Sequence, residues 1–363
     1  MKVKLGDITK YSKGSQINGD ELIKEGKYVY INGGINPSGR WDTYNVKANS
    51  ITISEGGNSS GYVNFITEPF WCGAHCYYLY DGPKNQKYLY YALKSQQDKL
   101  FNLRSGACMP NIKKADLGRL EFEFNQDERV QERIVAVLSK LERVLKARKK
   151  EMDLLDNIVK ARFVEMFGNV KANPYGFEKM ALKDTCTVIT GNTPSRSVPE
   201  YYGDSIEWIK TDNIVSGRLS PSQALEYLSD EGIKVGRIVE KGAILMACIA
   251  GSVASIGRVC ITDRKVAFNQ QINAIVPEDY DSLFLYTMLQ LSKEYLVEEI
   301  NMALKGILSK SKLEGKEFIV PSIEQQKQFA SFVAQVNKSK VAVQKALDEA
   351  QTLFDSLMQE YFG

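Results

Sequence analysis

A single histidine, His75, serves a chain of 363 residues. Histidine-dependent catalysis at two equivalent sites is therefore excluded. The GxxxxGK[ST] phosphate loop does not occur, and SEGGNSSG at 54–61 lacks its lysine and its strand–loop–helix setting. Glu and Lys residues abound, yet none follows a Pro-Asp as a nuclease would require. Asn173-Pro174-Tyr175 lacks the second proline of the Asn-Pro-Pro-Tyr signature of amino-methyltransferases, and no glycine-rich cofactor motif precedes it. It reads as a turn. Nothing in the motif content points to catalysis by this chain.

No apolar run approaches the roughly 18 residues of a membrane span, and MKVKLGDITKYSKG has no apolar core for a signal peptide. A cytoplasmic protein that makes no use of a membrane is expected. Cysteines are few, at 72, 76, 108, 186, 248 and 260. WCGAHC offers Cys72, His75 and Cys76, but no second cluster completes a tetrahedral set, so no metal is expected and the thiols read as small buried hydrophobes. Net charge is only +3. Residues 1–125 carry 16 basic and 12 acidic side chains, and 169–320 carry 17 and 19. Any contact with an anionic partner must come from local clustering.

Glycine and proline are missing altogether from 128–167 and 323–362. These segments are one sequence written twice, 195 positions apart and without a gap. Gln131 falls on Gln326, Ile134 on Phe329, Leu138 on Val333, and Glu165-Met166-Phe167-Gly168 on Glu360-Tyr361-Phe362-Gly363. Apolar residues recur at alternating spacings of four and three: Ile134, Leu138, Leu141, Leu145, Met152, Leu155 and Val159, then Phe329, Val333, Val336, Val343, Leu347, Phe354 and Leu357. That is a heptad seam on a helix about 60 Å long. Gly168 and Gly363 stand where a helix-ending glycine belongs. A one-sided stripe of this length needs a partner, and the simplest is the other copy. An antiparallel pair would relate the halves by a pseudo-two-fold axis and hold two modules at a fixed separation. The exposed run KARKK at 146–150 is left for partners or solvent.

The chain thus reads as a tandem repeat of α+β class: a globular module at 1–125, a long helix at 126–168, a linker at 169–179, a second module at 180–320 and a second long helix at 321–363. Each module opens alike, VKLGDIT at 3–9 and MALKDTC at 180–186, and continues in short strand-like runs broken by Gly, Asn and Ser. Helical stretches follow at 87–103 and 283–300, then basic loops at 104–117 and 302–313.

The loops INGGINPSGR, SEGGNSSG, TGNTPSR and AGSVASIG are rich in Asn, Ser, Thr and Gly, with Arg40, Arg196 and Arg258 close by. Any one of them reads as a turn. Repeated in both modules, and joined to Arg104, Lys113, Lys114, Lys305, Lys310 and Lys312, the set fits nucleic acid: amides and arginines pair with base edges, and freed backbone N–H groups hold phosphates. Lys210 in IEWIKTDNI and Ser252 in AGSVASIG complete the candidates.

In order, the tandem architecture, the Leu-x-Asp openings, GNTPS at 191–195, IEWIKTDNI, GAIL…GSVASIG, NQQI at 269–272 and the P-x-IEQQKQF approach to the second helix resemble the specificity subunits of type I restriction–modification enzymes. The resemblance covers the whole chain. It implies two target-recognition domains, each reading one half of a split, asymmetric DNA site, and an antiparallel coiled coil that sets the gap. It further implies docking of two methyltransferase subunits and two restriction subunits, to which S-adenosylmethionine, ATP and Mg would belong; this chain would bind no cofactor. Asn192, Thr193, Ser195, Arg196, Asn269 and Gln270 are implied to face DNA. The first module departs from the pattern, with KGSQ at 13–16 in place of GNTPS, so Lys13, Gln16, Asn36, Arg40, Asn58 and Ser59 stand on loop composition alone. A specificity protein of a combined restriction–methylation system, and a scaffold that bridges proteins without DNA, are the alternative readings.

Overall fold

The computed structural model describes residues 1–106, 110–250, 255–298 and 306–363. They form two compact units, Met1–Lys149 with Lys345–Gly363, and Lys150–Gln344. The class is α+β, two mixed modules with two long helices, Glu128–Phe167 and Ile323–Phe362.

In the first unit, Lys10–Lys13, Cys76–Tyr80, Ser50–Ser54 and Val63–Ile66 make an antiparallel four-stranded sheet in that order. Tyr28–Ile31 pairs antiparallel with Gly39–Trp41 and parallel with Phe70–Cys72. Lys2–Lys4 pairs with Glu121–Glu123, tying the start of the module to the strand that leads into the first long helix. The helix Gln86–Ser95 packs its Tyr88, Leu89, Tyr91 and Leu93 into the core, and Asn85 caps it by accepting from Tyr88 N at 3.0 Å.

The second unit repeats the plan. Cys186–Thr190, Ile272–Pro277, Ile244–Ala247 and Val259–Ile261 form its four-stranded sheet. Ile206–Ile209 pairs parallel with Val266–Phe268, and Lys179–Ala181 pairs with Glu317–Ile319. Asp281 caps the helix Ser282–Leu291 through Leu283 N and Phe284 N. The module openings match to the hydrogen bond: Leu5 N donates to Leu120 O, and Leu182 N to Lys316 O. Gly168 takes a left-handed φ of 72° and ends the first long helix, and Asn173 clasps Phe177 by both backbone polar groups to make Asn-Pro-Tyr a turn.

In each unit the beginning of one long helix meets the end of the other. In the second, Phe163 and Phe167 pack on Phe329, and Asp156 pairs with Lys340. In the first, Ile134 and Leu138 share a core with Met358 and Phe362, with Phe354 and Leu357 against it. One index rises as the other falls, so the pair is antiparallel. Ile134, Leu138, Leu145, Val159, Phe329, Val333, Val336 and Val343 are buried; Leu141, Met152, Leu155, Leu347, Phe354 and Leu357 are half-buried. At the helix ends burial moves one residue on, to Phe163, Phe167, Met358 and Phe362. A straight helix drifts about 20° per heptad from a 3.5-residue repeat. At its end each helix also faces its neighbouring module, so a second face is covered.

The repeated glutamines seal the helix starts. Gln326 Nε2 donates to Pro321 O at 2.9 Å, and its Oε1 accepts from Asp281 N at 2.9 Å. Gln131 Nε2 donates to Asn125 O at 2.6 Å. Lys146, Ala147, Lys149 and Lys150 of the KARKK run are exposed, and Arg148 is half-buried. No helix among the described residues is long and apolar enough to cross a membrane. Nor do the described residues hold a cluster of His, Cys, Asp and Glu that could bind a metal.

Candidate nucleic-acid interface

The tips of the two modules share a backbone. In the second, Gly191 leaves the strand Cys186–Thr190 and presses on the turn that follows Val266–Phe268. Its N donates to Ile272 O, Asn192 N donates to Phe268 O, Asn269 N to Ile209 O and Ile272 N to Asn269 O. In the first, Gly14 N donates to Cys76 O, Ser15 N to Cys72 O, Gly73 N to Ile31 O and Cys76 N to Gly73 O. Bond for bond, Gly14-Ser15-Gln16 occupies the place of Gly191-Asn192-Thr193, and Gly73-Ala74-His75 that of Asn269-Gln270-Gln271. The glycine is needed for space. A Cβ on Gly14 would lie 1.8 Å from Cys72 O, and one on Gly191 2.1 Å from Asn269 O. KGSQ is thus the first module's version of GNTPS, and WCGAHC its version of the NQQI turn.

An indole N–H secures each loop. Trp208 Nε1 donates to Asn192 O at 3.2 Å, and Trp71 Nε1 to Ser15 O, the equivalent carbonyl, at 2.7 Å. In the second module the Tyr202 hydroxyl adds a bond to Pro194 O at 2.6 Å. Asn192 and Asn269 spend their amides on the protein: Asn192 donates to Val235 O and accepts from Arg237 N, and the buried Asn269 bonds Gln271. Thr193 donates to Gln270, and both are exposed, as are Ser195 and Arg196. The Arg196 guanidinium lies 4.3 Å from the Tyr202 ring centre and 5.2 Å from that of Trp208. Lys210 Nζ is 5.1 Å from the same indole. Both cations reach one carboxylate, Glu226. The hydrogen bond from Lys210, with that from Arg196, holds the Glu226 carboxyl below the usual range. Arg258 Nε donates to Ser255 O at 3.3 Å and Lys310 pairs with Glu314 at 3.5 Å, so neither joins this cluster by a direct bond. Ser252 and Lys305 lie outside the described residues.

In the first module Lys13 bonds Glu55 at 2.8 Å, and His75 Nδ1 lies 3.6 Å from the same carboxylate. Ser59 Oγ donates to Gly33 O at 2.6 Å, and Arg104 Nε to Ser60 O at 2.7 Å over the Phe101 ring. These bonds draw the loops around residues 13, 33, 59 and 75 together. Arg40 is committed elsewhere, to the carbonyls of Gly26 and Lys27. Gln16, Asn36, Asn58 and Lys113 are exposed. Cys72 and Cys76 are buried free thiols, and the neighbouring Cys76 thiol, followed by burial, raises the pKa of Cys72 far above that of a reactive cysteine. Sequence reasoning did not find Trp71, Tyr202, Trp208, Glu55 or Glu226. A tryptophan beside Gly/Asn/Ser loops was a usable signal for the first and third. The acids gave none, since Glu226 lies 30 residues from Arg196 along the chain.

The chain matches the type I restriction modification DNA specificity domain over residues 1–153 and 174–350. It belongs to that family. A type I specificity subunit from Mycoplasma genitalium is 38% identical over 130 residues, which are 35% of this chain and 34% of that protein. One from Mycoplasma pneumoniae is 37% identical over 141 residues, 38% of this chain and 37% of that protein. These alignments span about a third of the relatives' own length. The crystal structure of a type I restriction–modification S subunit from M. genitalium matches 100% of this chain and 96% of its own, with a TM-score of 0.68 at 20% identity. That likeness is one of fold. The specificity-domain family accounts for both matched blocks, one for each module with the earlier part of the long helix that follows it.

Proposed function

We propose that this chain is the DNA-reading, non-catalytic specificity subunit of a type I restriction–modification assembly. Each module (1–125 and 180–320) reads one half of a split site, and the helix pair (126–168 and 321–363) sets the gap. The observation that carries this reading is the duplicated tip, where one backbone scaffold displays different side chains. Equal scaffolds with unequal residues suit two readers of two different sequences, because phosphate contacts position and base contacts specify. Gln16, Lys13, Ser59, Asn36, Asn58, Arg104 and Lys113 would serve the first module, with the exposed Arg40 as an outlying contact. Thr193, Ser195, Gln270, Arg196 and Lys210 would serve the second, with Asn192 and Asn269 shaping the loop, and Ser252, Arg258, Lys305 and Lys310 as outlying contacts. Coupling two weak readers through a stiff spacer raises affinity by effective concentration. Methyltransferase subunits, and restriction subunits with them, would dock on this chain in the cytoplasm, two of each.

The test is to co-express the chain with a type I methyltransferase subunit and map methylated bases across the host genome. A motif of two short halves around an unspecified gap supports the proposal. A continuous motif, or a stable complex with an active partner that methylates nothing, would defeat it.

A further inference from the structure

The cations of the second tip are already occupied. Arg196 and Lys210 converge on Glu226, and the aromatic rings of Tyr202 and Trp208 fix where they lie. Trp208 is buried and its indole is bonded to the Asn192 carbonyl, so the platform under both cations is rigid. The carboxylate itself is partly exposed, at 34% of its side-chain surface, on the same face as its partners. Backbone pairing fixes its position, since Trp208 N donates to Glu226 O at 3.0 Å. The first module has no acid at this position; the carboxylate of its tip, Glu55, reaches Lys13 from the end of a different strand, Ser50–Ser54. Tyr30 is the counterpart of Trp208, because both precede the residue whose carbonyl receives the turn N–H, and the residue across from Tyr30 is Gly39. Glu226 and Gly39 thus mark a point where the shared scaffold carries different side chains in the two modules.

We infer that Glu226 is a specificity-determining residue of the second module, a counter-ion that withholds Arg196 and Lys210 from DNA until a base supplies a donor for its carboxylate. The inference rests on the DNA-reading function proposed above. On an arbitrary duplex, phosphates must take the two cations from Glu226 and leave a carboxylate facing a polyanion. That arrangement is disfavoured, which is how discrimination against wrong partners is built. On the right duplex the released carboxylate accepts from an exocyclic amino group in the major groove, as acidic side chains accept from cytosine N4. The cations then go to phosphate or guanine at no net loss of pairing.

The test uses the full chain, as wild type and as Glu226→Gln, to select duplexes from a randomised library and to titrate a random-sequence duplex. Gln keeps the size and the acceptor oxygen but not the charge. The wild type is expected to select a split motif. E226Q is expected to relax one half of that motif only, while its affinity for random duplex rises about three- to tenfold, as release of two exposed ion pairs allows. Glu226→Ala should behave likewise, and Arg196→Ala should lower affinity for every duplex. Unchanged selection and unchanged random-duplex affinity in E226Q would overturn the inference, as would an equal loss on all sequences. A wild type that selects nothing would overturn the DNA-reading function itself, a distinguishable result.

Discussion

Phe163, four residues before the end of the first long helix, meets Phe329, near the start of the second, edge to face with ring centres 5.4 Å apart. Phe284 of the module helix stacks on Phe163 at 5.9 Å, and Phe167 closes the group. Two helices and a module are thereby locked at one point. The first unit solves the same problem with Met358 and Phe362 beside Tyr88. An antiparallel pair repeats because the same joint is needed wherever a helix ends on a module.

Phe329→Ala should cost about 3–5 kcal/mol, the range for truncating a fully buried aromatic. Chemical denaturation of the full chain should show the loss in the transition of the second unit. A change under about 1 kcal/mol would mean that the aromatic joint does not hold the helices.

Gln326→Ala removes the acceptor for Asp281 N and the donor for Pro321 O inside a buried site. A loss of about 1–3 kcal/mol is expected, because buried polar groups left unpaired bear their full desolvation cost. Gln131→Ala should cost less, having one such bond. Equal losses would show that the two helix starts are sealed alike.

Gly14→Ala and Gly191→Ala should each disable one tip and spare the other. The added carbon meets a backbone carbonyl in both cases, and the backbone cannot step aside without breaking the turn. Duplex selection with each variant should lose one half-site, a different half for each. Loss of the same half from both would refute the equivalence of the tips.

Lowering pH should weaken the second module through Glu207. Its carboxylate accepts two bonds from Arg264, at 2.6 and 2.8 Å, and one from Ala224 N. The Arg264 hydrogen bonds hold its carboxyl below the usual range. The contribution to stability is therefore complete above the unfolded carboxylate pKa, about 4.3, and disappears as pH falls through the lower folded value. Between about pH 5 and about pH 2 the melting temperature of Glu207→Gln should fall less steeply than that of the wild type, and above about pH 5 the two should run parallel.

The repeat, the two helices and the α+β class were legible because they rest on periodicity, and a heptad pattern with no Gly or Pro has few other meanings. The ends of the helices were not. Phe163 and Met358 lie one residue off the seam, where helical drift and a second neighbour decide burial. The place of KGSQ opposite GNTPS was legible, but the kinship of the turns on which they press was hidden for a different reason. Gly73-Ala74-His75 and Asn269-Gln270-Gln271 share no side-chain chemistry, and their equivalence lives in backbone hydrogen bonds that one glycine in each module makes possible. Glu226 was invisible because sheet pairing, not sequence distance, brings it to Arg196.

The central claim, two readers held apart by a helical spacer, is tested most directly by removing one heptad from each long helix, residues 142–148 with 337–343. Seven residues shorten a helix by about 10 Å, close to three base pairs of duplex. Methylation mapping of the co-expressed variant should return the same two half-sites with a gap shorter by about that amount. The original motif with its gap unchanged would contradict the account.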